Sequence, residues 1–327
     1  MSSRPLAVSV MPLENRREAL MGLAVAADRA GYDAFFLPES WTYDMTLVLA
    51  EAAVKTERIR LGTGILSVWS RSPGTLAMAA ATLASLSGGR FVLGLGASTP
   101  QLTEGLHDVK FGPPVAQMRR VVTQVRALLR GDRIPLAVAT GARPLKLNVP
   151  PAPGVPICLA ALADASIRLA GELADGWAPF LYPWSQLRAG EELLREGAAR
   201  AGGRPVPPIY PSVPAVVHED AGKAREGAAW FVAFYLTTMG PLYRTSLARQ
   251  GFGKEVDAVL AANTPKFTGA VPPEGEELLE QLIVHGTPAE ARRRLARWYD
   301  AGAAMPILLL RPNMGPDEID DTLRSLR

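Results

Sequence analysis

The chain alternates short, wholly apolar runs with longer stretches in which apolar residues recur every three or four positions. That is the pattern of parallel strands buried on both faces and joined by helical crossovers. It is clearest in Arg58–Ser98, where the runs Ile59–Val68 and Phe91–Ser98 flank an Ala-rich helical stretch, Pro73–Leu86, that stops at Gly88-Gly89. The same pattern predicts strands at Leu6–Met11, Asp33–Leu37, Pro156–Leu162, Trp177–Leu181, Val213–Val217 and Pro306–Leu310. Between or after them it predicts helices ending at Ala30 and spanning Val115–Leu129, Ala165–Ala174, Gln186–Ala201, Asp220–Leu236 and Pro288–Ala301. Eight strands in this alternation predict an α/β fold, a single (β/α)8 TIM barrel with insertions at the mouth where the strands' carboxyl ends meet. Pro135–Val149 reads as a small hairpin around Thr140-Gly141, and the less periodic Thr237–Gly275 as a mobile excursion over that mouth.

No linker or shift in composition interrupts the alternation, so residues 1–327 are expected to form one domain. With 48% apolar residues the chain can bury a large core. A formal charge of only +3, with basic residues scattered among acidic ones, does not suit a nucleic-acid partner. No apolar span of about 18 residues and no secretory leader pattern is present, which implies a soluble cytoplasmic protein without a membrane partner. The single cysteine, Cys158, lies within an apolar run and reads as a buried strand residue rather than a nucleophile.

Familiar catalytic signatures are missing. Gly94-Leu95-Gly96 lacks the third glycine and the later acidic residue of a dinucleotide fingerprint, and Pro100 breaks the glycine loop. No HExxH or similar ligand spacing supports a metal site, and no GxSxG supports serine hydrolysis. The strand ends offer small residues instead, at Gly64-Ile65 and Gly96-Ala97-Ser98, where a flat ring can approach the backbone.

The segments AADRAGYDAFFLPES, TERIRLGTGILSVWSRSPGTLAMAAATLASLSGGRFVLGLGAS, VPICLAALADASIRLAGELADGWAPF and GTPAEARRRLARWYDAGAAMPILLL together resemble the bacterial luciferase-like superfamily. Within it, GTGILSVWSRSP and SGGRFVLGLGAS are most similar to the branch that uses the deazaflavin coenzyme F420, which includes methylenetetrahydromethanopterin reductase. The resemblance implies a cofactor ring backed by a non-prolyl cis peptide at Gly64-Ile65 and edged by Ala97 and Ser98, with Ser40 nearby. It also implies a phosphate at the turn Ala161-Leu162-Ala163-Asp164, where a helix amino terminus attracts anions. Asp164 departs from the Gly-Pro often found there and has a plain reading as a helix cap.

In that branch an Asp-His pair touches ring and substrate; here Glu39-Ser40 stand in its place and the histidine is absent. Glu39 at the mouth is the first candidate to hold or pass a proton, against the plainer reading of a rim carboxylate paired with an arginine. Arg71 is a candidate counter-charge for an anionic cofactor. His107, in the loop after Gly96-Ala97-Ser98, is the best placed of the three histidines, and Trp41, Tyr43 and Trp69 are expected to wall a substrate pocket. Three functions are open: F420-dependent hydride exchange with a small organic substrate, a two-component monooxygenase fed by reduced FMN, and a redox-silent binding barrel. The resemblance also implies a homodimer formed through the early helices.

Overall fold

Short strands rich in Val, Leu and Ile, each followed by an amphipathic helix, can bury both faces only by lining up in parallel beneath those helices. The computed structural model describes residues 4–327 and shows this arrangement; the first three residues of the amino-terminal stretch lie outside the described residues. The strands are β1 (Ala7–Val10), β2 (Ala34–Leu37), β3 (Arg60–Thr63), β4 (Leu66–Ser67), β5 (Phe91–Gly96), β6 (Ile157–Ala160), β7 (Gly176–Trp177), β8 (Ser212–Val217), β9 (Val284–Gly286) and β10 (Ile307–Leu310). They pair in the order β7-β6-β5-β3-β2-β1-β10-β8-β9, with β4 beside β5 and every pairing parallel. Parallel bridges Trp177–Ile209 and Phe180–Ser212 bring the β7 end of this sheet onto β8, so the sheet is curled.

Three apolar layers follow from the curl. A small inner core holds Ala7, Ala34, Phe36, Val92, Cys158 and Ile307. The outer faces of the strands pack under the helices in the largest core, through residues such as Val8, Phe35, Leu61, Leu93 and Leu308. A third core joins Met11 and Leu309, near the carboxyl ends of β1 and β10, to Phe231, Tyr235, Leu278 and Leu282 from the later helices.

Four sequence expectations change in the structure. The run Ile59–Val68 is two strands, β3 and β4, interrupted at Gly64-Ile65. Pro135–Val149 is not a hairpin: it has no strand, and one backbone bond, Ile134 N–H to the Leu145 carbonyl at 2.8 Å, draws its ends together. Prolines 135 and 144 remove donors that a two-stranded ladder would need. The excursion 237–275 is largely helical, with helices Pro241–Leu247 and Gly253–Ala262 joined through a wide turn in which Gly251 takes φ 96°. Finally, β9 lies in a stretch where the sequence reading saw only the approach to a helix.

Candidate functional site

The carboxyl ends of β2 to β6 bring together most of the small residues singled out in the sequence. The Gly64–Ile65 peptide is cis. Gly64 N–H donates to the Leu37 carbonyl at 2.7 Å, and Glu39 N–H to the Ile65 carbonyl at 3.3 Å, which ties the β3–β4 junction to the loop after β2. The Thr63 hydroxyl donates to the Gly94 carbonyl and accepts from Gly94 N–H, both at 2.8 Å. A Cβ on Gly94 would run into the Thr63 carbonyl, and one on Gly96 would press on Ile65 and Ala160. The backbone of β5 therefore packs directly on the Thr63 carbonyl and the Ile65 side chain, which occupy the space that side chains at 94 and 96 would need. Ala97 and Ser98 continue from β5 half-buried, and Ser98 takes φ 58°, an uncommon conformation for a residue with a side chain.

Beside this floor the Arg71 guanidinium donates to both carboxylate oxygens of Glu39, its Nη2 lying 2.6 Å from Oε1, and the same Nη2 lies 2.9 Å from Asp44 Oδ1. Arg71 and Glu39 are nearly buried, with side-chain exposures of 14% and 9%. Burial opposes the Arg71 charge, but its carboxylate partners win and hold its pKa above the ordinary value. Asp44 also accepts from Thr46 N–H and caps the helix Met45–Lys55; these bonds outweigh burial and keep its pKa below the usual range. Glu39 is thus an ion-pair partner, the plainer of its two sequence readings, and Arg71 is engaged by protein carboxylates rather than open to a cofactor anion. Ser40 donates to the Pro12 carbonyl at 3.1 Å, linking the loops after β1 and β2. Trp41 and Tyr43, on the segment clamped between Glu39 and Asp44, are 49% and 45% exposed. Trp69 packs on Phe111 with ring centroids 5.3 Å apart.

The turn Ala161-Leu162-Ala163 leads from β6 into the helix Asp164–Leu173. Asp164 does not cap it: the cap position is Ala163, whose N–H donates to the Ser166 hydroxyl at 3.2 Å. The Asp164 carboxylate is largely exposed and lies 3.9 Å from Arg168. It therefore leaves the helix amino terminus open, and Ala161 and Ala163 present only methyl groups there. Trp177 donates its indole N–H to the Ala161 carbonyl at 2.9 Å and fixes the turn from beneath.

The three histidines separate cleanly. His218 accepts from Asp220 N–H at 2.9 Å at the start of the helix Ala221–Thr238. His285 is buried in β9, where desolvation and Arg294 depress its pKa to about 4. His107 is half-buried in the turn after the helix Pro100–Gly105, and no hydrogen bond or ion pair joins it to the other candidates among the described residues. Burial pushes the Cys158 thiol up to about 12, so it stays protonated and unreactive.

Sequence reasoning missed Glu14. This buried carboxylate pairs with Arg16 at 2.6 Å and accepts from Asn313 N–H at 2.9 Å, joining the loops after β1 and β10. Burial works against its charge, yet the bonds from Arg16 and Asn313 prevail and bring its pKa down to about 2. Only the spacing Glu14-x-Arg16 hinted at the pair; the Asn313 contact spans the whole chain.

Comparison with known proteins agrees with this geometry. Residues 5–305 match the family model described as luciferase-like monooxygenase. The chain is 31% identical over 322 residues to a Mycobacterium tuberculosis protein named "Putative coenzyme F420-dependent oxidoreductase", covering 91% of each chain. It is 28% identical over 307 residues to a 5,10-methylenetetrahydromethanopterin reductase of Archaeoglobus fulgidus, covering 89% of each. Among solved structures it resembles the F420-dependent tetrahydromethanopterin reductase of Methanopyrus kandleri, with a TM-score of 0.81 at 19% identity over 99% of this chain and 97% of that one.

Proposed function

The chain belongs to the luciferase-like monooxygenase family, and from that premise we propose that it is an F420-dependent oxidoreductase exchanging a hydride with a small organic substrate. The observation that carries this reading is the Gly64–Ile65 junction at the carboxyl ends of β3 to β5, which Gly94 and Gly96 let β5 pack against so closely that it is held in place as the backing for a planar ring. We read the curled sheet as an eight-stranded barrel spanning one domain, residues 1–327, with the segment 237–275 inserted at its mouth.

The residues present fit the cofactor. Gly64, Ile65, Ala97 and Ser98 would meet the ring, with Ser40 beside them, and the open helix amino terminus at Ala161, Leu162, Ala163 and Asp164 would take the phosphate. When bound, the deazaflavin supplies a carbon that accepts or gives a hydride. The protein's share is orientation and exclusion of water. Arg71, paired with Glu39 and Asp44, holds the Trp41–Tyr43 segment between them, and the rings of that segment would wall the substrate pocket with Trp69 as a further wall. His107, the histidine with no structural duty, handles the proton at the substrate oxygen.

The FMN-fed monooxygenase is the second reading and the redox-silent barrel the third. The Mycobacterium tuberculosis relative that matches over 91% of the chain carries an F420 name, which favours the first. We further propose a cytoplasmic homodimer. The exposed apolar residues Leu47, Val54, Met78 and Leu86 on the adjoining helices Met45–Lys55 and Pro73–Leu86 support it. Oxygen uptake separates the first two readings. A monooxygenase consumes oxygen when supplied with reduced FMN, whereas protein with reduced F420 is expected to leave oxygen at the background rate. Protein-dependent oxygen uptake with reduced FMN would overturn the F420 reading.

A further inference from the structure

Beside the β3–β5 junction one buried polar atom has no hydrogen-bond partner among the described residues: the indole nitrogen of Trp69. An indole N–H can only donate, and a buried one ordinarily finds an acceptor. Unlike a hydroxyl it cannot turn towards one, because the ring is held. Its benzene end fits where Gly112 has no side chain, a Cβ there falling 3.3 Å from Trp69 Cη2, and the ring packs on Phe111. The backbone is pinned as well: Trp69 N–H donates to the Ser67 hydroxyl at 3.2 Å, and the Gln117 amide to the Val68 carbonyl at 2.9 Å. The pyrrole end, which carries the indole N–H, therefore stays near the end of β4. There the chain runs beside β5. Ser67 pairs with Gly96, Val68 N–H donates to the Gly96 carbonyl at 3.0 Å, and continuing that register sets Trp69 beside Ser98. A fixed donor with its demand unmet thus stands at the edge of the proposed ring seat.

Resting on the F420 reading above, we propose that Trp69 selects a deazaflavin over a flavin, its indole N–H donating to the phenol oxygen at the edge of the F420 ring. F420 carries that oxygen where FMN carries a methyl group, whereas the pyrimidine carbonyls at the opposite end are common to both rings. The phenol ionises readily, and a donor aimed at its oxygen favours the anion, because a bond to a charged acceptor is stronger than one between neutral groups. A methyl group in the same place leaves the N–H buried without an acceptor, which costs about tenfold or more in affinity. The neighbouring cation does not compete for the role, since Arg71 is engaged by Glu39 and Asp44.

An absorbance titration of the phenol in protein saturated with oxidised F420 tests this without turnover, with occupancy followed separately by fluorescence. Trp69→Phe keeps the packing on Phe111 and removes only the donor, and burial of the ring acts alike in both proteins. The variant is expected to raise the pKa of the bound phenol by about one unit and to weaken F420 binding about tenfold. A second measurement needs no variant. Wild-type protein is expected to bind 8-hydroxy-5-deazariboflavin at least tenfold more tightly than 5-deazariboflavin, which has methyl groups instead of the phenol and shares the rest of the ring; neither carries a phosphate. Absence of F420 binding would sink the cofactor reading itself. Full F420 occupancy with the phenol titrating at the same pH in wild type and Trp69→Phe would leave that reading standing and overturn the present proposal. Equal affinity of wild type for the two rings, or an equal loss of both in Trp69→Phe, would also overturn it, because the N–H would then serve an atom that flavins share.

Discussion

At the residue scale the site depends on what is absent as much as on what is present. Gly94 faces the Thr63 carbonyl, so Gly94→Ala must move backbone against backbone, and we expect a loss of about 3 kcal/mol in urea unfolding. Gly22, inside the helix Arg17–Arg29 with nothing near its absent side chain, is the control: Gly22→Ala is expected to stabilise by roughly 0.5–1 kcal/mol. Equal effects at the two positions would show that the β3–β5 approach is not tight. Gly64 and Gly96 were legible in the sequence because small residues recur at consecutive strand ends, whereas the close approach at Gly94 was not, because it depends on the Thr63 carbonyl of the neighbouring strand. The pairing of Arg71 with Glu39 and Asp44 was not, since it requires the loops after β2 and β4 to meet. The outward turn of Asp164 depends likewise on Arg168 one helical turn away and on Ala163 taking the cap position.

At the scale of elements, strands of four or more apolar residues announced themselves, and the crossover helices followed from their periodicity. The misses have local causes. Val284-His285-Gly286 is too short to show alternation and holds a histidine that only burial explains. The segment 237–275 packs back on the barrel through Tyr243, which, like Tyr235 of the preceding helix, meets Phe180 in the loop after β7 edge-on, with centroids 5.4 and 4.8 Å apart. The adjoining helices Met45–Lys55 and Pro73–Leu86 expose Leu47, Val54, Met78 and Leu86, whereas a solvent-facing helix surface is ordinarily polar. If these faces join two copies, Met78→Glu with Leu47→Lys is expected to halve the mass seen by light scattering while leaving the circular dichroism spectrum intact. A wild-type protein already monomeric at tens of micromolar would refute the dimer.

At the scale of the whole molecule, acid should loosen the fold in a definite order. His285 stays neutral in the folded protein down to about pH 4, while in the unfolded chain it takes a proton near 6.5. Its contribution is therefore fully present above pH 6.5 and lost as pH falls towards 4, about 3 kcal/mol in all. Glu14 acts later, because its folded value of about 2 lies below the ordinary 4.5, so its contribution is present above pH 4.5 and lost between 4.5 and 2. Urea midpoints taken across this range are expected to fall first between pH 6.5 and 4, and His285→Gln to flatten that first fall; an unchanged slope in the variant would assign the fall to other groups. The parallel curled sheet, the tightly packed Gly64–Ile65 junction against Gly94 and Gly96, and the helix start at Asp164 meet in one account, a protein that seats a planar anionic redox cofactor. Fluorescence titration of the purified protein with oxidised F420 and, in parallel, with FMN tests that account most directly. Micromolar affinity for F420 with little for FMN is the expected result; preference for FMN, or binding of neither, would contradict it.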